Sequence, residues 1–326
     1  MNKKTVILVC SCTVVAIVGL VVAICAGAKS IPLQTVWDSI FHYEDVLDMQ
    51  LVRDVRIPRA ISATLVGGLL GLTGAMMQGV TRNPVAEPSL MGITQGATFA
   101  IALVGASSSL YGLFGSTFAA FIGAMVSGLL ILSFSVKSAR NMNMSRLLLA
   151  GTALSTFFIS MATIIALLTN KSQNLAFWLS GGFRAVTWDS VYLVFVVGGI
   201  ATIIALFLAP KINIVNLGED VCIGLGENPV RIRIYTLLLI IPMCAVCVAV
   251  AGNIAFVGLI VPHIVRKILG QDYRIIMPVS FICGATLLIW ADVLARLVNQ
   301  PYETPIGLFT SLVGVPLFIW MVRKEN

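Results

Sequence analysis

The chain has 326 residues, of which 58% are hydrophobic and 11% charged, with a formal net charge of +7. A soluble domain of this length carries roughly twice that charged fraction, which excludes a soluble globular body. The positive excess forms no nucleic-acid patch either, because Lys and Arg sit mostly in short loops between apolar runs, as membrane topology requires.

Ten apolar segments follow in chain order: 5–27, 57–80, 93–109, 113–136, 146–168, 189–209, 233–252, 254–268, 275–298 and 304–323. Apolar runs of about 18 or more residues read as membrane-spanning helices; the third and eighth segments are short and rich in glycine. The first follows Lys3 and Lys4. It is longer than the apolar region of a signal peptide and lacks a clear cleavage site, so it reads as a retained helix. Only short hydrophilic stretches separate the segments, and a single all-α transmembrane domain over residues 1–326 is expected.

The second segment contains "VGGLLGLTGAMMQG", which places Gly67, Gly71 and Gly74 along one helix face. Small residues at that spacing let backbones approach where lipid supplies no hydrophobic drive for association. Directly after it, "RNPVAEPSLMG" brings Arg82, Pro84, Glu87 and Pro88 into an otherwise apolar chain. The prolines cannot easily continue a helix, so the stretch reads as an irregular turn.

Orientation follows from the 21 Lys and Arg residues. Lys29, Arg53, Arg56, Arg59, Lys171, Arg184 and Arg296 fall on one side and the remaining fourteen on the other. That asymmetry, with an even number of segments, puts both termini in the cytoplasm. The outward cluster Arg53, Arg56 and Arg59 opposes this trend. It reads either as a receiver for an acidic partner, since guanidinium recognises carboxylate bidentately, or as snorkelling at the interface. Arg296 could join it, and Asp292, one turn earlier, is the natural ion-pair partner of Arg296.

The chemistry of an engine is missing from the sequence. No phosphate-binding loop occurs, "GLGENPVR" having neither the lysine nor the spacing. His42 and His263 are too few for a metal centre with its second shell, and His263 reads as a histidine bonded to a neighbouring helix. Asp292 is the main acidic residue within a span, so no chain of proton-relay carboxylates is visible. The seven cysteines, including Cys244 and Cys247 in a C-x-x-C, read as small packing residues, and no cofactor or metal is expected. If the chain transports, its energy comes from another subunit. In "NLGEDVCIGLGENPVRIR", residues 216–233, a short helix over 218–225 closed by Gly226 is expected; it would offer a surface to a cytoplasmic partner.

"RIPR", "RNPVAEPSLMG", "LGED", "FVGLIVPHIVR" with "GQDYR", and "PIGLFTSLVGVPLFIW" occur in this order over residues 50–322. Together they resemble the FecCD-type permeases of ABC importers, the family of iron–siderophore, haem and vitamin B12 permeases. The resemblance implies a type II ABC importer permease fold of about ten transmembrane helices in a bacterial inner membrane. It implies an inner gate at Asn83 and Val85, completed by Met142 and Asn143. Leu217, Gly218 and Glu219 would dock on an ATPase dimer, and Arg56, Arg59 and Arg296 would receive acidic knobs of an external substrate-binding protein. A second permease chain, identical or related, would complete a path lined by the second, fifth and eighth helices. Ferric siderophore is the implied cargo, with haem or cobalamin as the alternative; an ion-coupled secondary transporter is the reading from another class. The chain departs from the family in "GQDYR", where relatives carry His in place of Tyr273, a difference expected to touch a cytoplasmic loop.

Overall fold

The computed structural model describes residues 3–27, 29–136 and 144–325. Among the described residues there are helices and turns and no strand. The chain starts with α1 (Lys3–Cys25), α2 (Leu33–Phe41) and α3 (Leu47–Gln50), and a π-helical turn over Leu51–Arg56 leads into α4 (Ile57–Thr81). After a 3-10 turn at Pro88–Met91 come α5 (Ile93–Ala106), α6 (Ser108–Val136), α7 (Met144–Leu168) and α8 (Ser172–Leu179). Next, α9 (Trp188–Leu193) passes through a second π-helical turn into α10 (Gly199–Leu217). The remaining helices are α11 (Glu219–Gly224), α12 (Pro229–Ala251), α13 (Val257–Leu269), α14 (Tyr273–Leu297) and α15 (Ile306–Glu325).

Each of the ten expected segments is a helix. The sixth, expected to stop at 209, continues through Pro210 to Leu217. Among the described residues seven helical spans are long and apolar enough to cross a membrane, while α5, with 14 residues, and α13, with 13, are shorter. A 14-residue helix reaches about 21 Å, well short of a hydrocarbon core of about 30 Å.

The packing explains why both are short. Gly92, which opens α5, accepts a hydrogen bond on its carbonyl from Ser127 Oγ at 2.8 Å. Ser127 lies nine residues before the end of α6, so Gly92 sits about 14 Å along that helix from its end. Gly258, in the first turn of α13, packs on Gly74, seven residues before the end of α4. Segments 82–92 and 252–256 therefore bring irregular backbone back to membrane depth before their helices start. Such backbone is tolerated there because it is buried in protein.

The centre of the bundle is α4, enclosed by α12, α13 and α14. A Cβ on Gly67 would overlap the carbonyl of Gly284, one on Gly71 that of Ser280, and one on Gly74 that of Gly258. The glycine face thus serves two neighbours: its first two members seat α14 and the third seats α13. Tyr273 corrects an expectation. It is the first residue of α14, 1% exposed, and its ring packs over Gly79. The position at which the resemblance was expected to break in a loop lies in the core, because the "GQD" turn ends one residue earlier.

Candidate functional site

Two groups of predicted residues lie at opposite ends of α4. Arg59 is near its start and Val80 near its end, about 32 Å apart at helical rise.

At the inner end the chain leaves α4 through Arg82 in the left-handed conformation (φ 54°). Asn83 Oδ1 then accepts the Val85 N–H at 3.0 Å, and the Ala86 N–H reaches the Asn83 carbonyl at 3.2 Å. An Asx turn of this kind supplies locally the bonds that a helix would have supplied. Asn83 and Val85, both predicted gate residues, are half-buried. Met142 and Asn143 lie outside the described residues. Sequence reasoning named Glu87 without giving it a role: its Oε1 accepts the backbone N–H of Phe256 at 3.0 Å. Phe256 has φ of 71°, an unusual conformation for a bulky residue, and it is the cap of α13. The acid in "RNPVAEP" therefore ties one re-entrant segment to the other.

Beside this loop stands α11, within one residue of the expected 218–225. Gly218 enters it at φ 133°, a conformation that favours glycine. Cys222 is fully buried and packs with Val215 and Ile232. Leu217, Val221, Ile223 and Leu225 are 47–67% exposed. Of the predicted coupling residues, Leu217 points outward, while Glu219 pairs with Arg233 at 2.8 Å. Arg233, which carried no sequence signal of its own, also donates from Nε to the Val80 carbonyl at 3.1 Å.

At the outer end the structure brings Arg56, Arg59 and Arg296 together, but turned inward, with 6–8% exposure. Arg56 Nη1 donates to the carbonyls of Ile24 and Cys25 at 2.8 and 2.7 Å, and Nη2 to that of Lys29. Arg296 Nη1 donates to the Ala23 and Ala26 carbonyls at 2.9 and 3.0 Å. The two side chains satisfy the carbonyls left open at the C-terminal end of α1, where a positive charge also suits the helix dipole. Asp292, fully buried, pairs with Arg59 at 2.9 Å and with Arg296 at 3.0 Å. Glu303 pairs with Arg59 at 2.5 Å and with the half-exposed Arg184 at 3.5 Å. Burial alone would push the Glu303 carboxyl up, but the hydrogen bond and charge of Arg59, with Arg184 and Arg296 behind, hold it below the usual range. Neither Glu303 nor Arg184 was singled out for this role by sequence reasoning.

Among the described residues no three His, Cys, Asp or Glu side chains converge to hold a metal. His263 Nδ1 lies 3.4 Å from Arg266 Nη2 on its own helix.

The model of the FecCD transport family matches residues 15–324. The iron(3+)-hydroxamate import system permease protein FhuB of Bacillus subtilis (strain 168) is 40% identical over 94% of this chain and 80% of its own. The Fe(3+) dicitrate transport system permease protein FecC of Escherichia coli (strain K12) is 38% identical over 85% of this chain and 84% of its own. A solved inward-facing conformation of a metal-chelate type ABC transporter superposes with a TM-score of 0.83 at 28% identity, over 97% of this chain and 98% of that one.

Proposed function

The chain belongs to the FecCD transport family, and from that premise we propose that it is the multi-pass permease of an ABC importer carrying a ferric siderophore into a bacterial cell. The observation that carries the reading is the segment 217–225. It holds four exposed apolar side chains, two on a short helix anchored by one buried cysteine and one at each flank, and an apolar patch at the end of a span calls for a protein partner. That partner is the ATPase dimer, which Leu217, Gly218 and Glu219 contact; hydrolysis takes place there, and this chain does no covalent chemistry.

The excess of Lys and Arg puts α11 and both termini in the cytoplasm. Cargo passes between two permease chains, identical or related. The open face of α7 supports this arrangement: α4 is enclosed within the chain, whereas α7 is exposed over most of its length. Asn83 and Val85 form the inner gate, together with Met142 and Asn143 as the family resemblance implies, and movement of α11 opens it by a rigid shift. Outside, a substrate-binding protein docks over Arg56, Arg59 and Arg296. Because those guanidinium groups are engaged, an incoming carboxylate reaches Arg59 by replacing Glu303. The relatives named for ferric hydroxamate and ferric dicitrate support an iron chelate as cargo. Asp292, held by two arginines, is poorly placed as a proton relay, which argues against an ion-coupled carrier.

The test is uptake in a deletion strain under iron starvation, comparing radio-iron hydroxamate, radio-iron citrate and haem. Loss of one iron chelate, restored by the intact gene and abolished by ATP depletion, is expected. Uptake that survives ATP depletion while the membrane stays energised overturns the reading.

A further inference from the structure

We propose that Arg233 is a positioning residue that transmits the movement of α11 to the inner gate; the inference rests on the ABC permease reading above. Arg233 lies in the second turn of α12 and is 9% exposed. Its two ends are bound to two different moving parts. One Nη holds Glu219, the first residue of α11, at 2.8 Å. Its Nε holds the carbonyl of Val80 at 3.1 Å, two residues before the loop that begins at Arg82. That carbonyl belongs to the last turn of α4 and has no partner within its own helix.

Other contacts make this a joint rather than an isolated ion pair. A Cβ on Gly218 would lie 4.0 Å from Arg82 Nη1, so the side chain at the exit from α4 reaches the entry to α11. From Arg82 the chain runs through the Asx turn at Asn83 to Glu87, which grips Phe256 at the cap of α13. The sequence of contacts is α11, Arg233, the end of α4, the gate loop and α13. A planar guanidinium with five donors in a fixed fork can hold a carboxylate and a carbonyl at once from two different nitrogens, whereas a neutral amide has one nitrogen and no charge. Displacing Glu219 therefore pulls on the residue from which the gate loop hangs.

The experiment reconstitutes the permease with its ATPase and binding protein in vesicles. It measures radio-iron ferric hydroxamate uptake and ATP hydrolysis on the same sample. Arg233→Gln is expected to leave the ATPase bound and hydrolysing while uptake per ATP falls about tenfold, in the range of a typical coupling between sites. Arg233→Lys, which keeps the charge but replaces the fork by a single ammonium, is expected to recover only part of that loss. An unchanged ratio in Arg233→Gln overturns the proposal, as does a parallel fall in uptake and hydrolysis accompanied by a lower unfolding temperature, which marks a merely structural role. If Arg233→Gln does not assemble, Glu219→Gln decides the matter. It removes the same ion pair from the other side; because Glu219 also contacts the ATPase, the ratio is read at saturating ATPase, where it should fall, and an unaltered ratio refutes the joint. Failure of the underlying reading looks different, because the intact chain would then take up iron without any dependence on ATP.

Discussion

Glu87 and Phe256 are 169 positions apart in the chain, and the Glu87 carboxylate accepts the Phe256 backbone N–H at 3.0 Å. This bond joins two irregular segments at membrane depth, where neither has a helix of its own to satisfy its polar groups. Glu87→Gln keeps an acceptor oxygen and should fold and transport nearly as the intact chain does. Glu87→Ala leaves a buried N–H without a partner, which costs about 1–3 kcal/mol, and should lower the unfolding temperature of the purified permease. Equal stability of the two variants would show that the bond contributes nothing.

Asp292 is the hub of the outer cluster. Asp292→Ala removes the shared partner of Arg59 and Arg296, leaving Arg59 with Glu303 alone and the buried Arg296 without a carboxylate, a loss of about 3–5 kcal/mol for a broken buried pair. Arg184→Ala, at a half-exposed contact, should cost about 1 kcal/mol or less. Thermal unfolding of the two variants side by side tests the ranking.

Glu303 supplies the pH dependence. Its folded-state carboxyl is held below the usual range, so its stabilisation is present above the unfolded carboxylate value and is lost as pH falls through the folded one. Glu303→Gln lacks this contribution at neutral pH. The stability gap between intact chain and variant should therefore close on acidification below about pH 5. A gap that stays constant would mean that the carboxylate is not held by its arginines.

The same variant examines docking. If Arg59 receives a carboxylate from the binding protein, Glu303→Gln frees it and should tighten docking, while Arg59→Glu should abolish it. Binding isotherms for both variants, with unfolding temperatures measured alongside, separate loss of docking from loss of fold.

Gly71 faces the carbonyl of Ser280 with no room for a Cβ. Gly71→Leu pushes a side chain into backbone, which no change of rotamer relieves, and should cost about 1–3 kcal/mol or more. Gly105→Leu, where a Cβ would meet nothing within 4 Å, is the control and should be tolerated.

Much of this was legible in the chain itself. Hydropathy located ten apolar segments that are each helical in the structure, because membrane-depth backbone must satisfy its own hydrogen bonds and long apolar runs can do so only as helices. Gly218 and Gly226 marked the ends of α11, because a positive φ is a local demand that glycine meets. The Asp292–Arg296 pair was also visible, being one turn apart on one helix.

Burial and long-range pairing were not legible. The arginines at 56, 59 and 296 read as outward-facing because their sequence neighbours are polar or interfacial. Whether they face water or the carbonyls of α1 depends on where α1 ends in space, about 30 positions away in the chain for Arg56 and some 270 for Arg296. The short lengths of α5 and α13 were visible, but their cause, two segments returning to membrane depth, appears only when Ser127 and Gly74 are placed beside them. Arg233 looked like one basic residue among many. Sequence by itself determined the helices, the punctuating glycines and prolines and the family, all of which rest on local periodicity and motif order. The tertiary structure alone decided which charges are paired, which acid holds the loop and which arginine joins α11 to the end of α4, because electrostatic and hydrogen-bond partners are set by distance in space and not by distance along the chain.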